Sequence, residues 1–230
     1  MSAERLILRY VSFPTRDKMV DVRELAANAK VLRKKGLGVR EIADELHLSV
    51  DTVNYLIEYG AEGLPPSDVK IGWRSVGVSG YRVGLLSQLL ADIALEELGK
   101  HDTDADVVLG ISINGVPFAT MLAEIMGLDF GVYRPHAESE AGGAFSSNFA
   151  SVGDGKKIIV VDDVLSTGAT IKGAISDIKE AGGNPVLVMV IVNKSSMNEI
   201  DGVPLRGIIR ARSIGGTILG GGGGKGFPYG

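Results

Sequence analysis

The chain has 230 residues, 45% of them hydrophobic, a formal charge of −4 and no cysteine. That is enough apolar material for one full domain with a small appendage. The lack of cysteine excludes disulfide scaffolds, thiolate nucleophiles and thiolate metal sites, and favours an intracellular, cytoplasmic address.

The acidic total gives no general coat for nucleic acid, although a total says nothing of how the charge is distributed. Residues 1–10 mix charges with apolar side chains, unlike a signal peptide, and no segment reaches the apolar length of a membrane span.

Residues 15–35 place Met19, Val22, Leu25, Ala26, Ala29 and Leu32 close to helical spacing, and Gly36 and Gly38 end the pattern. A second short helix is predicted around Val39, Ile42, Ala43 and Leu46. A third follows Ser49, a good N-cap, with Val53, Leu56 and Ile57 on one face. The two are joined by the tight stretch His47-Leu48, as in a helix-turn-helix.

Residues 36–56, reading Gly-Leu-Gly-Val-Arg-Glu-Ile-Ala-Asp-Glu-Leu-His-Leu-Ser-Val-Asp-Thr-Val-Asn-Tyr-Leu, resemble the helix-turn-helix of bacterial and archaeal transcription regulators. Ala43 is the small residue such a motif wants at the helix crossing. The resemblance implies a recognition helix over residues 50–58, capped by Ser49 and offering Asp51, Thr52, Asn54 and Tyr55 to a major groove. Lys30, Arg33, Lys34, Lys35 and Arg40 form a basic run with no acid among them, suited to phosphates. A solvated helix face reads the same way, and the recognition helix itself carries Asp51 and Glu58 but no Lys or Arg. A homodimer reading two half-sites is therefore the expected DNA-binding form.

Gly63, Pro65, Pro66 and Ser67 mark the boundary between a module of residues 1–62 and a second domain of residues 63–230. Residues 69–78 read as extended, with Val69, Ile71 and Trp73 alternating against polar neighbours. A helix follows Ser79-Gly80, with Val83, Leu86, Leu89, Leu90, Ile93, Ala94 and Leu98 on its apolar face and Gly99 as its end. Trp73 fits a core or interface position.

Residues 107–113 are a strand of the fully buried type, followed by Asn114-Gly115 and a helix over residues 117–126 with Pro117 in its first turn. Residues 130–133 make a short strand. A long polar segment, residues 134–155, comes next.

The most informative stretch is residues 158–171, Ile-Ile-Val-Val-Asp-Asp-Val-Leu-Ser-Thr-Gly-Ala-Thr-Ile. Four aliphatics predict a strand buried on both faces, and Asp162 and Asp163 are expected at its carboxyl end. Ligands of open α/β sheets collect at that edge. Ser166, Thr167, Gly168, Ala169 and Thr170 then make a loop whose hydroxyls, glycine and following helix start suit a phosphate. Paired carboxylates suit the hydroxyls of a vicinal diol.

This pattern resembles the 5-phosphoribosyl-1-pyrophosphate (PRPP) motif of type I phosphoribosyltransferases. The resemblance implies that the two acids hold the ribose hydroxyls and the loop the 5′-phosphate. It also implies a pyrophosphate loop at Ser112, Ile113, Asn114 and Gly115, here without the Lys or Arg that many of those enzymes carry. In the orotate enzymes the segment matching residues 134–155 is a catalytic loop with a Lys, Asp, His, Gly pattern. Here it has no lysine, and only Arg134 and His136 remain as weak catalytic candidates beside Glu138 and Glu140. Departure of pyrophosphate needs positive charge aimed at the developing anion, so the ribose-phosphate half looks complete and the catalytic half stripped.

Residues 186–192 and 205–212 predict further strands, and residues 215–230 a glycine-rich tail. The expected architecture is α/β: a type I phosphoribosyltransferase fold, its central parallel sheet flanked by helices, preceded by a small all-α helix-turn-helix domain. The whole is similar to the archaeal orotate-phosphoribosyltransferase-like family, one branch of which is described as regulating glucose and fructose catabolism. The purine repressor of Gram-positive bacteria has a similar plan.

The implied function is a transcription regulator with DNA and PRPP, or a related phosphorylated sugar, as its partners. The alternative is an active orotate or other base phosphoribosyltransferase that releases pyrophosphate. No metal site is read from the protein alone, and Mg²⁺ is expected only as carried by PRPP.

Overall fold

The computed structural model describes residues 22–62, 68–135 and 143–212. The boundary at residues 63–67, His136 and the glycine-rich tail from residue 215 lie outside them, as do residues 15–21 of the first predicted helix.

Three helices open the described chain: α1 (Val22–Lys34), α2 (Val39–Leu46) and α3 (Val50–Glu58). They bury a common core that includes Leu25, Ala29, Ile42, Ala43, Leu46, Val53 and Leu56. Glu41 accepts from the Gly38 amide at 2.7 Å, and Ser49 accepts from the Thr52 amide at 3.1 Å, so both α2 and α3 are capped at their starts. The turn between them uses His47 at φ 53, a left-handed conformation more often given to glycine or asparagine.

The larger domain holds α4 (Arg74–Gly77), α5 (Gly80–Lys100), β1 (Val107–Ile111), α6 (Gly115–Met126), β2 (Asp129–Pro135), β3 (Gly143–Phe145), β4 (Lys157–Leu165), α7 (Ala169–Glu180), β5 (Asn184–Asn193), β6 (Glu199–Ile200) and β7 (Val203–Arg210). The strand order is β3-β2-β1-β4-β5-β7-β6. The central pairs, β2 with β1, β1 with β4, β4 with β5 and β5 with β7, are parallel, and short antiparallel strands close both edges. Two apolar layers cover the sheet. One packs α7 residues Ile171, Ile175 and Ile178 against it, and the other packs Leu90, Ala94 and Leu98 of α5 with Phe118 and Leu122 of α6. This is the α/β architecture expected from the buried strands.

Several boundaries differ from the expectation. Residues 69–78 are not a strand: they run as irregular chain into the single turn α4, because no sheet edge is offered to them and Trp73 instead stacks edge-on against Phe118 at 5.4 Å. Helix α5 passes through Gly99 and ends at Lys100. The polar segment after residue 133 is in part a hairpin, since β2 continues to Pro135 and pairs with β3. Strand β4 does not stop at the carboxylates: Asp162 lies opposite Val190 and Val164 opposite Val192, so pairing carries on to Leu165.

Candidate functional site

The end of β4 and the start of α7 build one wall of the site. Gly168, the N-cap of α7, sits at φ 80, which a side chain with a Cβ strains to adopt. Its conformation turns the chain from strand to helix, and the first helical turn opens at Ala169. The Ala169 amide donates to Thr167 Oγ1 at 3.4 Å.

Helix α6 starts close beside this loop. A Cβ on Gly115 would lie 2.4 Å from the Val161 carbonyl oxygen and 3.0 Å from Asp162 Cα, so only glycine lets α6 begin there. Ser112 is tied by its amide to the Tyr133 carbonyl at 2.8 Å, the Ser112–Ile113 peptide is cis, and the Ile113 side chain is 82% exposed. The predicted pyrophosphate loop is thus adjacent to the predicted ribose-phosphate loop.

The two acids have separate environments. Asp162, half-buried, accepts from the Asp163 amide at 2.9 Å; withdrawal from water, then the charges of Asp163 and Asp44, hold its carboxyl well above the usual carboxylate range. Asp163 is 5% exposed and its Oδ2 accepts from Trp73 Nε1 at 2.7 Å. The His47 imidazole Nδ1 lies 3.5 Å from the same oxygen, and burial lowers the His47 pKa although Asp163 pulls it up.

His47 belongs to the helical module, and the module is the second wall. A cavity of about 370 Å³ lies between Arg40, Asp44, Ser49, Val50 and Asp51 on one side and Asp162 and residues 164–171 on the other. That volume is in the range of small-ligand pockets. Asp44 is open to the cavity yet crowded from both sides; loss of water and the charge of Asp163 push its carboxyl up to about 6, against the pull of Arg40. A second cleft, about 290 Å³, joins Arg40, Glu41, Asp44 and Glu45 of the module to Ser112, Ile113, Asn114 and Thr170.

One further contact fastens the walls together. Asp68 accepts from the Ser49 amide at 2.6 Å and pairs with Lys194 Nζ at 2.5 Å, while the Lys194 amide donates to the Leu165 carbonyl at 2.8 Å.

The structure divides the predicted DNA-binding residues. Lys34, Lys35 and Asn54 are exposed; Arg40 and Ser49, half-buried, and Asp51, exposed, line the cavity opposite residues 164–171. Thr52 is 4% exposed with its hydroxyl 2.8 Å from Ser49 Oγ, so it serves the cap rather than an open face. The Tyr55 hydroxyl donates to the Glu62 carbonyl at 2.5 Å. Arg134 stands in β2 beside β3. Trp73, Asp44, Asp68 and Lys194 had no local motif to announce them: Asp68 and Lys194, for one, are 126 positions apart.

The phosphoribosyl transferase domain family matches residues 83–205. Two relatives named "Transcriptional regulator GfcR" match over nearly the whole of their own length. That of Thermoplasma acidophilum is 46% identical over 86% of this chain and 100% of its own, and that of Picrophilus torridus is 48% identical over 84% and 98%. The chain belongs to the GfcR family of transcriptional regulators.

Among solved structures, an orotate phosphoribosyltransferase from Aeropyrum pernix superposes with a TM-score of 0.52 at 22% identity, covering 79% of this chain and 92% of its own. An adenine phosphoribosyltransferase from Thermoanaerobacter pseudethanolicus gives 0.51 at 19% identity, covering 65% and 92%. At those identities the likeness concerns the fold alone. The family therefore joins a transferase fold to a regulator's name.

Proposed function

We propose that this chain is a DNA-binding transcription regulator whose phosphoribosyltransferase-like domain binds PRPP or a related phosphorylated sugar and so sets the DNA affinity of the helix-turn-helix module. The observation that carries this reading is the cavity shared by the phosphate-type loop at residues 164–171 and the start of α3. A ligand there touches both functions. The capped, three-helix packing of residues 22–58 and the exposed Lys34 and Lys35 support the DNA role. The names of the relatives favour regulation over transfer, and the lack of any lysine between residues 134 and 155 weakens the case for expelling pyrophosphate.

The ligand's phosphate would sit on Thr167, Gly168 and the first amides of α7, with Asp162 toward the sugar hydroxyls. No three His, Asp or Glu side chains are grouped as a metal site among the described residues. With PRPP as the ligand, Mg²⁺ would enter on its phosphates. A homodimer is supported by Tyr81, Leu85 and Leu89, exposed at intervals of four along α5. Among the described residues no helix is long and apolar enough to cross a membrane, and the protein is proposed to act in the cytoplasm.

The test has two arms. Duplexes enriched from a random-sequence pool should be shifted in gels in a salt-sensitive manner, and ribose 5-phosphate or PRPP should raise the melting temperature. Turnover of PRPP and a nucleobase in the presence of Mg²⁺ at roughly 1 per second or more, with release of pyrophosphate, would instead make the chain an enzyme.

A further inference from the structure

The end of α3 that a helix-turn-helix protein presents to base edges is here turned toward the ligand loop. Recognition helices enter the major groove with their N-terminal residues. In this chain Ser49, Val50 and Asp51 line the cavity opposite residues 164–171, and the Ser49 amide is held by Asp68 at 2.6 Å. A helix end facing protein across about 370 Å³ has no room for a duplex between.

We propose that the ligand site is composite, that a sugar phosphate on the loop is closed over by Arg40 and the start of α3, and that this closed form excludes DNA. Ligand and DNA are then alternatives for one face of the module. The proposal rests on the phosphate-loop reading above and adds the second wall, the residues on it and the sign of the coupling.

The chemistry of the module's wall fits a phosphorylated sugar. Arg40 is the only cation lining the cavity among the described residues, and a guanidinium is suited to phosphate oxygens. Asp44 and Asp51 accept hydrogen bonds from sugar hydroxyls, as Asp162 does from the other wall.

Two contacts hold the closed form. Asp68 joins the Ser49 amide to Lys194, whose own amide is fixed to Leu165 at the base of the loop. On the other side Asp163 receives Trp73 Nε1 and faces His47. Because coupling is reciprocal, ligand lowers DNA affinity by the factor with which DNA lowers ligand affinity.

The chain has no cysteine, so thiols can be placed at will. Glu45 and Val78 line one cleft between module and larger domain, and neither belongs to the loop or to α3. In the full-length E45C/V78C variant, a flexible bismaleimide joins the walls. The duplex enriched by the unlinked protein should then bind at least about tenfold more weakly to the linked form, while ribose 5-phosphate still binds. Separately, Arg40→Gln should weaken ribose 5-phosphate binding about tenfold. Undiminished DNA binding by the linked protein overturns the exclusion. An unchanged ribose 5-phosphate Kd in Arg40→Gln overturns the composite site and leaves the loop as a ligand site. If ribose 5-phosphate fails to bind the wild type, or no duplex is enriched, the function proposed above falls and this inference with it.

Discussion

Replacing Asp68 by alanine removes one partner of an ion pair whose side chains are 9% and 6% exposed and whose atoms lie 2.5 Å apart. The change leaves the Lys194 ammonium buried without its counter-charge, and it also removes the acceptor of the Ser49 amide. Breaking a buried pair in this way costs about 3–5 kcal/mol. At about 2–4 °C per kcal/mol for a chain of this size, the lower bound corresponds to a fall in Tm of about 6–12 °C.

Differential scanning fluorimetry of Asp68→Ala near neutral pH measures this, and Asp68→Ala/Lys194→Met should recover a large part of the loss because no charge is then stranded. The pH dependence has a definite sign. Burial alone would raise the Asp68 carboxyl, but the hydrogen bonds from Lys194 and the Ser49 amide outweigh it and hold the pKa below 3.8. The stabilisation is therefore present above the unfolded value and lost as pH falls through the depressed one, so wild type and Asp68→Ala should converge only below about pH 4. A Tm change under about 2 °C at neutral pH, or a double variant no better than the single, would refute the buried-latch argument.

Three further outcomes are expected. Asp162→Asn removes a carboxylate that its surroundings disfavour as an anion, so the unliganded protein should melt higher at neutral pH while stabilisation by ribose 5-phosphate shrinks; a lower Tm would count against the crowding of like charges. Gly115→Ala places a Cβ 2.4 Å from the Val161 carbonyl oxygen and should cost about 1–3 kcal/mol in urea unfolding, whereas a neutral result would mean that α6 can retreat from β4. Docking of the module should follow pH through Asp44. Its pKa is raised to about 6 in the docked form, so its contribution is complete below about pH 4 and lost as pH rises through about 6, worth about 1 kcal/mol after solvent screening. His47, lowered by burial, acts in the opposite sense and is unfavourable to docking as pH falls below 6.5. Fluorescence of Trp73, the single tryptophan, reports on this interface, and Asp44→Asn should flatten its change between about pH 4 and 6; an identical titration in that variant would remove Asp44 from the interface.

Much of the fold was legible because the signals are local. Unbroken aliphatic runs at residues 107–109 and 158–161 can only be satisfied between two covered faces, and they became β1 and β4 at the centre of the sheet. The three-and-four spacing before Gly36 and the cap at Ser49 produced α1 and α3. Errors fell where a neighbour in space decides. Residues 69–78 alternate like a strand, but with Trp73 drawn to Phe118 and Asp163 they fold into irregular chain and one turn. Asp162 and Asp163 were expected at the carboxyl end of the strand, yet β5 runs on beside them and the pairing continues to Leu165.

For the site the division is similar. Asp162, Ser166, Thr167, Gly168 and Thr170 lie within nine successive residues, and a strand-to-helix loop turned by a glycine at positive φ is a local feature, so the sequence by itself determined that wall of the cavity. Which groups stand opposite depends on how two separately encoded units pack. Only the tertiary structure could place Arg40, Asp44 and Asp51 across the cavity, assign Asp163 to Trp73, and join Asp68 to Lys194, because burial and ion pairing between positions so far apart leave no periodic trace in the chain.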